Sequence, residues 1–407
     1  MNILIINTAY TGGGAEKVTR QLRRVMLERG HNVHVMVGYN KDKVRDNNVS
    51  VLYDGLAMRF VNRIITKNHS HANLRIPLTY YRIVEYIKKY NIDIVHLNNI
   101  HGNYLGIYDV AKIQELCPVV WTIHDFYPVT GHCAYTYGCE QWKKGCTNCT
   151  NLDIYPQLKK NESHKLLSAK NSYCGKGIIF VSPSYWLKNQ LKNSILKKED
   201  IRVVYNSLNT KEWKKYEKRE MRQKYGLSDS KTIIAFVAAK LSESRKGIKY
   251  LLEALKKLPC PDKYQLIVAG SSIGDELKQI ENIFDIHYFG FISEEEKMNE
   301  FFAAADYFIN PSTDDIFGLV NIEAIASGTP VIAFDICAVR EIIEEYSGII
   351  VPEISAEALA KSILSIKDDV KLQPKLKECF KETMMTKQYE GIYEEEIEKR
   401  KIKMMIS

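Results

Sequence analysis

Short apolar segments rich in β-branched residues alternate with helical patterns along most of the chain, and this alternation restricts the fold more than any other feature. The first cycle runs through NILIIN, a helical pattern over residues 16–29 and VHVMVG, and further strand-like segments are IDIVHL, PVVWTIHD and GIIFVSP. Cycles of this kind predict parallel strands joined by crossover helices. Near-continuous apolar strands indicate a sheet covered on both faces. We therefore predict a doubly wound α/β domain over residues 1–206.

The alternation restarts after a lysine-rich stretch at residues 211–224. Its strand-like segments are TIIAFVAA, YQLIVAG, IHYFGF, DYFINPS and TPVIAFD. At 407 residues the chain is too long for one ordinary core, so two similar domains are expected. We predict a second doubly wound domain over residues 207–385. Because open α/β sheets bind ligands beyond the carboxyl ends of their strands, the two domains should face each other across a cleft.

Residues 386–407 form a charged, helix-forming tail that ends in EKRKIKMMIS. Two interpretations stay open: a solvated helix packed on the surface, which we favour because the apolar face is short, and contact with a membrane surface. The first ten residues look like a strand rather than a secretion signal, and no segment is long enough to span a bilayer. We expect a cytoplasmic protein, with peripheral contact at the inner face of the cell membrane as the open alternative.

Composition and charge narrow the class of partner only slightly. With 45% apolar and 26% charged residues, the chain is typical of a soluble globular protein rather than a disordered or fibrous one. The net charge of +8 favours polyanions near the surface without selecting phosphates, anionic lipid or nucleic acid. Because no basic helix with interleaved aromatic residues stands out, we expect no nucleic-acid partner.

Four of the nine cysteines lie within residues 131–149, in GHCAYTYGCEQWKKGCTNC. The pattern C-x5-C-x6-C-x2-C contains one C-x2-C pair and consists of Cys133, Cys139, Cys146 and Cys149. Three interpretations stay open: a zinc site, free thiols and disulfides. We favour zinc because clustered cysteines in a reducing compartment more often bind metal. Four thiolates would fill a tetrahedral coordination sphere, so that zinc would be structural.

The segment NPSTDDIFGLVNIEAIASGTPVIAFD, residues 310–335, is the most informative for chemistry. A strand ending in YFIN should run into a polar loop, followed by a helix that begins near residue 317 and carries Glu323. An anion such as phosphate is favoured at the helix N-terminus, next to the amides of Phe317, Gly318 and Leu319. From the residues alone, Asp315 and Glu323 are either site residues or, respectively, a helix cap and a solvated carboxylate.

This segment resembles the signature of the retaining, nucleotide-sugar-dependent glycosyltransferases of family four, whose GT-B fold consists of two facing Rossmann domains. In that family, two glutamates separated by seven residues contact the donor sugar and the ribose. The resemblance therefore implies that Asp315 contacts the donor sugar and Glu323 the ribose. Because aspartate is one methylene shorter than glutamate, the identity of the sugar is left open.

A second segment, FVAAKLSESRKGIKYLLEAL, resembles the strand, loop and helix whose arginine and lysine bind the donor diphosphate in this family. Lys240 stands at the arginine position and Lys246 at the lysine position. Arg245 beside Lys246 leaves open which of the two contacts the diphosphate. Such cations stabilise a departing diphosphate without a metal, so we expect no cofactor for catalysis. The resemblance further implies front-face attack, with the leaving phosphate accepting the proton.

In the first domain, TGGGAEKV connects the first strand to the first helix, and its glycines let backbone approach a ligand closely. The resemblance places Gly13 and Gly14 beside the donor phosphates. WTIHDFY puts His124 at the end of a strand, where the family has a histidine lining the sugar site, and Asp125 is expected to orient it. FVSPSYW and VVYNSLN match further segments of the family.

Taken together, the residues and the resemblance predict a metal-independent, retaining, hexosyltransferase-type enzyme. It would move a sugar from a nucleotide-diphosphate sugar to a glycan or lipid-linked saccharide during synthesis of a cell-surface polysaccharide such as a capsule. The cysteine run resembles that of a subset from bacterial polysaccharide clusters. Acceptor stacking or mutual packing is left open for the aromatic residues Tyr127, Tyr135, Tyr137 and Trp142. The alternatives are a GT-B nucleotide-sugar epimerase and a zinc-containing nucleic-acid-binding protein.

Overall fold

The computed structural model describes residues 1–39, 46, 48–52, 60, 78–241, 243–271, 275–365 and 372–406. The chain divides into two compact units. The first unit contains Met1–Tyr205 and Met385–Ser407, and the second contains Asn206–Met384. The boundaries expected from the sequence, after residues 206 and 385, lie one residue from these divisions. The C-terminal segment belongs to the first unit.

The first unit is built on a seven-stranded parallel sheet with the order β3-β2-β1-β4-β5-β6-β7. Its strands are β1 (Asn2–Ala9), β2 (Asn32–Tyr39), β3 (Val49–Val51), β4 (Ile94–Leu97), β5 (Val119–Thr122), β6 (Ile179–Ser182) and β7 (Ile201–Val203). The helices between them include α1 (Gly14–Glu28), α2 (Thr79–Lys89), α3 (Ile107–Leu116), α4 (Ser163–Lys170) and α5 (Tyr185–Leu191). The strand order reverses between β1 and β4, which is the switch point where such sheets bind ligands.

Helix α1 shows why the sequence pattern predicts this layer. Val18, Leu22, Val25 and Met26 recur at helical spacing, and all four are buried against the sheet. Leu22, Val25 and Met26 pack in one core with strand residues such as Ile3. The helix predicted for this part of the chain is therefore confirmed, with its apolar face directed at the sheet.

The second unit is built on a six-stranded parallel sheet with the order β10-β9-β8-β11-β12-β13. Its strands are β8 (Thr232–Lys240), β9 (Tyr264–Ser271), β10 (Asp285–Gly290), β11 (Tyr307–Asn310), β12 (Val331–Phe334) and β13 (Gly348–Val351). Its helices include α6 (Lys218–Lys224), α7 (Ile248–Lys256), α8 (Asp275–Lys278), α9 (Glu295–Ala304), α10 (Leu319–Ala326), α11 (Val339–Ile342) and α12 (Ala356–Ser365). The switch point lies between β8 and β11. The prediction of two doubly wound parallel-sheet domains is confirmed.

The last helix, α13 (Glu382–Ile406), completes the core of the first unit. The Tyr389 hydroxyl lies 2.8 Å from Thr122 Oγ1, which lies 2.8 Å from Nε2 of His96. The other nitrogen of His96 hydrogen-bonds the Tyr393 hydroxyl. Burial lowers the pKa of His96 to about 3, so its imidazole is neutral at pH 7. This buried polar chain ties α13 to β4 and β5.

Among the residues that the structure describes, no helix is both long and apolar enough to cross a bilayer.

Candidate active site

In the second unit, two loops meet where neighbouring strands end. One loop follows β8 and the other follows β11, on either side of the switch point. The Nζ of Lys246 in the first loop donates to Oδ2 of Asp315 in the second, at 2.7 Å. Their side chains are 16% and 20% exposed. The structure therefore brings together two of the residues that the sequence predicts for catalysis.

The environment of Asp315 keeps its carboxylate charged. Burial alone would raise its pKa, but Lys246, then Arg245, and a hydrogen bond from the Gly318 amide together lower the pKa below its usual value. Because the Gly318 amide lies at the N-terminus of α10, Asp315 both caps this helix and pairs with the lysine. The two interpretations left open for this aspartate are compatible.

Arg245 holds the two loops together. Unlike the ammonium of Lys246, its guanidinium does not pair with Asp315 but bonds to Glu243 and to the backbone of Asp314. Its Nε donates to Oε1 of Glu243 at 2.8 Å, and its Nη1 donates to the carbonyl oxygen of Asp314 at 3.2 Å. Arg245 is 8% exposed. Lys240, the other predicted cation, is the exposed last residue of β8.

Gly247 allows the close approach of these loops. Its φ is +69°, and a Cβ there would lie 1.8 Å from the carbonyl oxygen of Pro311. Any other residue would therefore collide with backbone and would also occupy an unfavourable left-handed conformation. This glycine fixes the position of the preceding Lys246.

Helix α10 carries the remaining predicted residues of this edge. Phe317 is buried, Gly318 has a φ of +72° and precedes the helix, and Leu319 is its first residue. Glu323 lies on the second turn and is 5% exposed. The interpretation of Glu323 as a solvated carboxylate is therefore wrong, because the helix turns this side chain into the unit.

Sequence reasoning missed a chain of polar side chains beneath the loop after β11. Asn310 Nδ2 donates to Oδ1 of Asn321 at 2.8 Å, and the Ser312 hydroxyl donates to Oδ1 of Asn310 at 2.6 Å. All three residues are buried. They connect the end of β11 to α10. Their position within the segment that carries Asp315 is the one feature of the sequence that could have indicated them.

In the first unit, His124 lies just beyond the end of β5, as predicted. Its Nε2 lies 2.7 Å from Oδ1 of Asn98, which follows β4. Burial lowers the pKa of His124 to about 4, with Asp125 opposing and His101 adding to the shift. The imidazole is therefore neutral at pH 7. Since the amide oxygen of Asn98 accepts a hydrogen bond, Nε2 carries the proton and Nδ1 carries the lone pair.

Asp125 does not orient His124, and that expectation is wrong. Its Oδ2 lies 2.9 Å from Nε2 of His101, and its Oδ1 accepts a hydrogen bond of 2.9 Å from the amide of Tyr127. The Nδ1 of His101 lies 3.1 Å from the hydroxyl of Tyr155. Asp125 lies in a bend beyond β5, and the Tyr127 amide holds its carboxylate, so it reaches a different partner from its neighbour. Sequence reasoning missed His101 and Tyr155.

The glycine-rich turn after β1 holds a half-buried carboxylate. Gly13 precedes α1, Gly14 is its first residue, and a Cβ on Gly13 would lie 3.3 Å from Oε2 of Glu16. Burial raises the pKa of Glu16, while hydrogen bonds from its own amide and that of Gly13 oppose the shift. Glu16 therefore folds back over the turn and satisfies amides at the start of the helix.

The four clustered cysteines surround one small cavity of about 40 Å³. All four are free thiols, so the disulfide interpretation does not hold for this structure. The Gly131 amide donates to Sγ of Cys146 at 3.3 Å, and Nε2 of His132 lies 3.5 Å from Sγ of Cys133 and 3.6 Å from Sγ of Cys149. Sequence reasoning missed this histidine.

The cysteine cluster does not have the geometry of a metal centre. Within the described ranges, no group of three or more His, Cys, Asp or Glu side chains is placed to hold a metal ion. The zinc prediction for Cys133, Cys139, Cys146 and Cys149 therefore receives no support from the geometry and stays a prediction.

The aromatic residues of the cysteine region mostly pack inward. Tyr127 and Trp142 are 2% and 5% exposed, and the Trp142 ring lies 5.4 Å from that of Phe126. Tyr127 and Trp142 therefore pack inside the unit and are not available to stack on an acceptor. The ring centres of Tyr135 and Tyr137 lie 6.5 Å apart in an edge-to-face arrangement, and Tyr137 is exposed.

A fully buried lysine fastens this region to α4. The Nζ of Lys170 donates to the carbonyl oxygens of Thr130, at 2.9 Å, and Tyr127, and it lies 3.6 Å from the centre of the Tyr127 ring. Burial lowers the pKa of Lys170 to about 7, although Asp125 and two cysteines oppose the shift. Nothing in the sequence distinguishes this residue, because surface lysines are common on helices.

Comparison with known proteins agrees with the geometry of both units. Residues 12–212 match the family model described as Glycosyltransferase Family 4, and residues 217–383 match the model described as Glycosyl transferases group 1. The chain is a family-four glycosyltransferase. These matches support the predicted glycosyltransferase class, and they give no support to the epimerase and nucleic-acid-binding alternatives.

The glycosyltransferase has curated relatives of similar length. It is 27% identical to the putative colanic acid biosynthesis glycosyl transferase WcaC of Escherichia coli, over 87% of this chain and 88% of that protein. It is 22% identical to the N-acetyl-alpha-D-glucosaminyl L-malate synthase of Bacillus anthracis, over 84% and 82% of the two chains.

Solved structures resemble the glycosyltransferase over nearly its full length. The sucrose-phosphate synthase of Thermosynechococcus elongatus has a TM-score of 0.72 at 20% identity, covering 97% of this chain and 98% of that one. Anabaena HepE in complex with UDP-glucose has a TM-score of 0.68 at 18% identity, covering 97% and 100%. These likenesses confirm the predicted GT-B fold.

Proposed function

We propose that the enzyme transfers a hexose-type sugar from a nucleoside-diphosphate sugar to a glycan or lipid-linked saccharide, with retention of anomeric configuration. The observation that carries this proposal is the Lys246 and Asp315 pair, 2.7 Å apart, at the N-terminus of the helix that buries Glu323. The solved HepE complex contains UDP-glucose, and the related WcaC is described as a colanic acid biosynthesis enzyme. Both support a nucleotide-sugar donor and a role in polysaccharide synthesis.

In this proposal the ammonium of Lys246 supplies the positive charge that the departing diphosphate requires. Cleavage of the sugar–phosphate bond leaves an oxocarbenium-like sugar and an anionic leaving group, so a fixed cation stabilises the transition state more than the ground state. Asp315 fixes the position of the ammonium. A nucleoside diphosphate is a good leaving group, so the step needs neither a protein acid nor a metal for catalysis.

The two carboxylates divide the rest of the donor between them. Glu323 is held by a regular helix and binds the ribose hydroxyls, for which a buried carboxylate is a strong acceptor. Asp315 contacts a hydroxyl of the donor sugar while it remains paired with Lys246. Arg245 acts as a positioning residue that holds the loop of Lys246 against the loop of Asp315.

His124 binds the sugar as a neutral imidazole. With Nε2 directed at Asn98, its Nδ1 accepts a hydrogen bond from a hydroxyl of the bound sugar. A neutral ring is suited to this role, because a cation there would be costly to bury beside the sugar. Gly13 and Gly14 leave room for the diphosphate beside the turn after β1.

We also propose that the cysteine region supports the acceptor side and that the enzyme works at the cytoplasmic face of the cell membrane. For the cysteines, zinc content of the purified protein distinguishes the interpretations. About one zinc per chain that is lost in Cys146→Ser would support a structural zinc site. A metal-free protein whose nine thiols all react after unfolding would assign the region to packing alone.

Calorimetric binding tests the proposed donor site directly. A panel of nucleoside-diphosphate sugars and free nucleoside diphosphates would be titrated into the wild type, with and without EDTA, and into Glu323→Ala. Glu357→Ala is the matched control, because this glutamate lies exposed on α12 of the same unit.

The expected result is one donor bound with micromolar affinity, unaffected by EDTA and retained in Glu357→Ala. In Glu323→Ala we expect a loss of at least about tenfold, as for removal of a charged hydrogen bond of about 1.5–3 kcal/mol. Absence of binding to every donor would overturn the proposed function, and loss of binding in EDTA would overturn its metal independence.

A further inference from the structure

The last turns of α13 leave the body of the first unit. Glu396, 8% exposed, is the last buried residue of the helix, and the Arg400 guanidinium still donates to the carbonyl oxygen of Glu115 at the end of α3. Residues 401–406 are exposed. Among them, Met405 and Ile406 are 84% and 82% exposed. A helix end with such large apolar side chains in water is unusual for a surface helix.

The apolar side chains of this helix end form a stripe. Ile402, Met405 and Ile406 follow the spacing that places residues on one face of a helix. Lys399, Ile402, Lys403 and Ile406 form one open patch along this face. Arg400, which anchors the helix to Glu115, lies on the opposite face, together with the buried residues Tyr393 and Glu396. The stripe therefore points away from the body of the first unit.

Basic residues border the apolar stripe. The eight residues 399–406 contain four cations and no acidic residue. Lys399 is paired with Glu395 and Glu396 on the preceding turn. Lys401 and Lys403 lie beyond those glutamates, toward the exposed end of the helix. Apolar side chains with flanking lysines match the boundary of a bilayer that contains anionic lipid.

We propose that the end of α13, residues 399–406, docks the first unit onto an anionic lipid bilayer. Ile402, Met405 and Ile406 enter the boundary between headgroups and acyl chains, and Lys401 and Lys403 contact anionic headgroups. This surface is distinct from the carboxyl edge of the first sheet, and the proposal does not depend on sugar transfer.

Vesicle sedimentation tests this inference. The full-length protein would be mixed with vesicles of phosphatidylcholine alone, or with one third phosphatidylglycerol, at low and high salt. Three variants would be compared with the wild type: Lys401→Gln with Lys403→Gln, Ile402→Ser with Ile406→Ser, and a control with Phe291→Ser and Ile354→Ser. The control residues are exposed apolar side chains of the second unit.

The wild type and the control are expected to bind the anionic vesicles at low salt, and high salt should weaken this binding. The lysine variant should lose about 30-fold in partition coefficient, since each cation near an anionic surface contributes about fivefold. The isoleucine variant should bind more weakly at both salt concentrations. Far-ultraviolet circular dichroism and donor calorimetry would show that each variant is folded.

Two outcomes would overturn the proposal. One is wild-type protein that stays in the supernatant with anionic vesicles at low salt, and the other is equal binding by the wild type and the isoleucine variant. Light scattering supplies a further check. A dimer that dissociates in the isoleucine variant would assign this surface to a second copy of the chain instead of a bilayer.

Discussion

At the carboxyl edge of the second sheet, an ammonium and a carboxylate meet between loops that follow adjacent strands. At the same edge of the first sheet, two imidazoles are instead held by an amide and a carboxylate. Both edges follow parallel strands next to a switch point, so the sheet alone does not decide the chemistry. The difference teaches that the same architecture supports a charged edge suited to phosphate and a less charged edge suited to hydroxyl groups.

Replacing Lys246 by methionine should produce the largest effect, because it removes the cation proposed to stabilise the leaving group. We expect a decrease in kcat/KM of about a thousandfold, which corresponds to about 4 kcal/mol. Steady-state kinetics with the donor identified by calorimetry measures this. Lys249→Met, on α7, is the control and should be nearly neutral. If Lys246→Met kept more than about a tenth of the wild-type value, the charged edge would not be the catalytic one.

Gly247→Ala should disturb the same edge through its backbone. The new Cβ would lie 1.8 Å from the Pro311 oxygen at a φ of +69°. We expect the free energy of unfolding to fall by about 3 kcal/mol, since a clash adds to the cost of the left-handed conformation. Gly226→Ala, at a φ of +64° with no atom within 4 Å, isolates the conformational cost and should lose only about 1 kcal/mol. Equal urea midpoints for the two variants would show that the loops do not require their close approach.

Lys170→Met should change the pH dependence of stability in the first unit. The pKa of Lys170 is lowered to about 7, so between about pH 7 and 10 the unfolded chain holds a proton that the folded chain lacks. Stability contributed by this group therefore rises with pH across that window. The unfolding free energy of the wild type, minus that of the variant, should rise by about 2 kcal/mol from pH 7 to pH 9.

The control for this pH measurement is Lys165→Met, an exposed position on the same helix. Its profile should run parallel to that of the wild type in urea unfolding at each pH. A parallel profile for Lys170→Met would mean that the buried ammonium titrates as an ordinary lysine.

Tyr155→Phe should have the smallest effect of the four, because it removes one hydroxyl from the less charged edge. The hydroxyl lies 3.1 Å from Nδ1 of His101, and its loss should lower the unfolding free energy by about 1 kcal/mol. Thermal unfolding measures this change. Tyr81→Phe is the control, at a tyrosine that is 71% exposed on α2, and its unfolding free energy should not change. If Tyr155→Phe left the unfolding free energy unchanged, the hydroxyl would not stabilise the first unit, and Asp125 alone would hold His101.

The fold could be predicted from the sequence because the spacing of apolar residues follows the periods of strands and helices. Buried parallel strands give continuous apolar segments, and α1 buries the residues that its spacing indicates. The second-unit edge was also accessible, because its residues lie in two local segments whose strands are neighbours in the sheet. Local motifs at the ends of neighbouring strands converge without any knowledge of side-chain packing.

The first-unit edge could not be predicted in the same way. His101 is 24 residues from Asp125 and 54 from Tyr155, and a lone histidine carries no periodic signal. The expectation that Asp125 orients its neighbour followed from adjacency in sequence, whereas the bend at Asp125 directs its carboxylate to His101. The burial of Lys170 was missed, and that of Glu323 was left open, for a related reason, since charged residues on helices are usually exposed.

Helix α13 has a consequence for the order in which the protein is made. Tyr389 and Tyr393, with Met385 and Ile392, complete the core around β1, β4 and β5, and they bond to Thr122 and His96 deep inside it. During synthesis, the ribosome must translate the whole of the second unit before these residues emerge. The domain that is begun first is therefore finished last, and its nascent sheet waits with part of its apolar face uncovered.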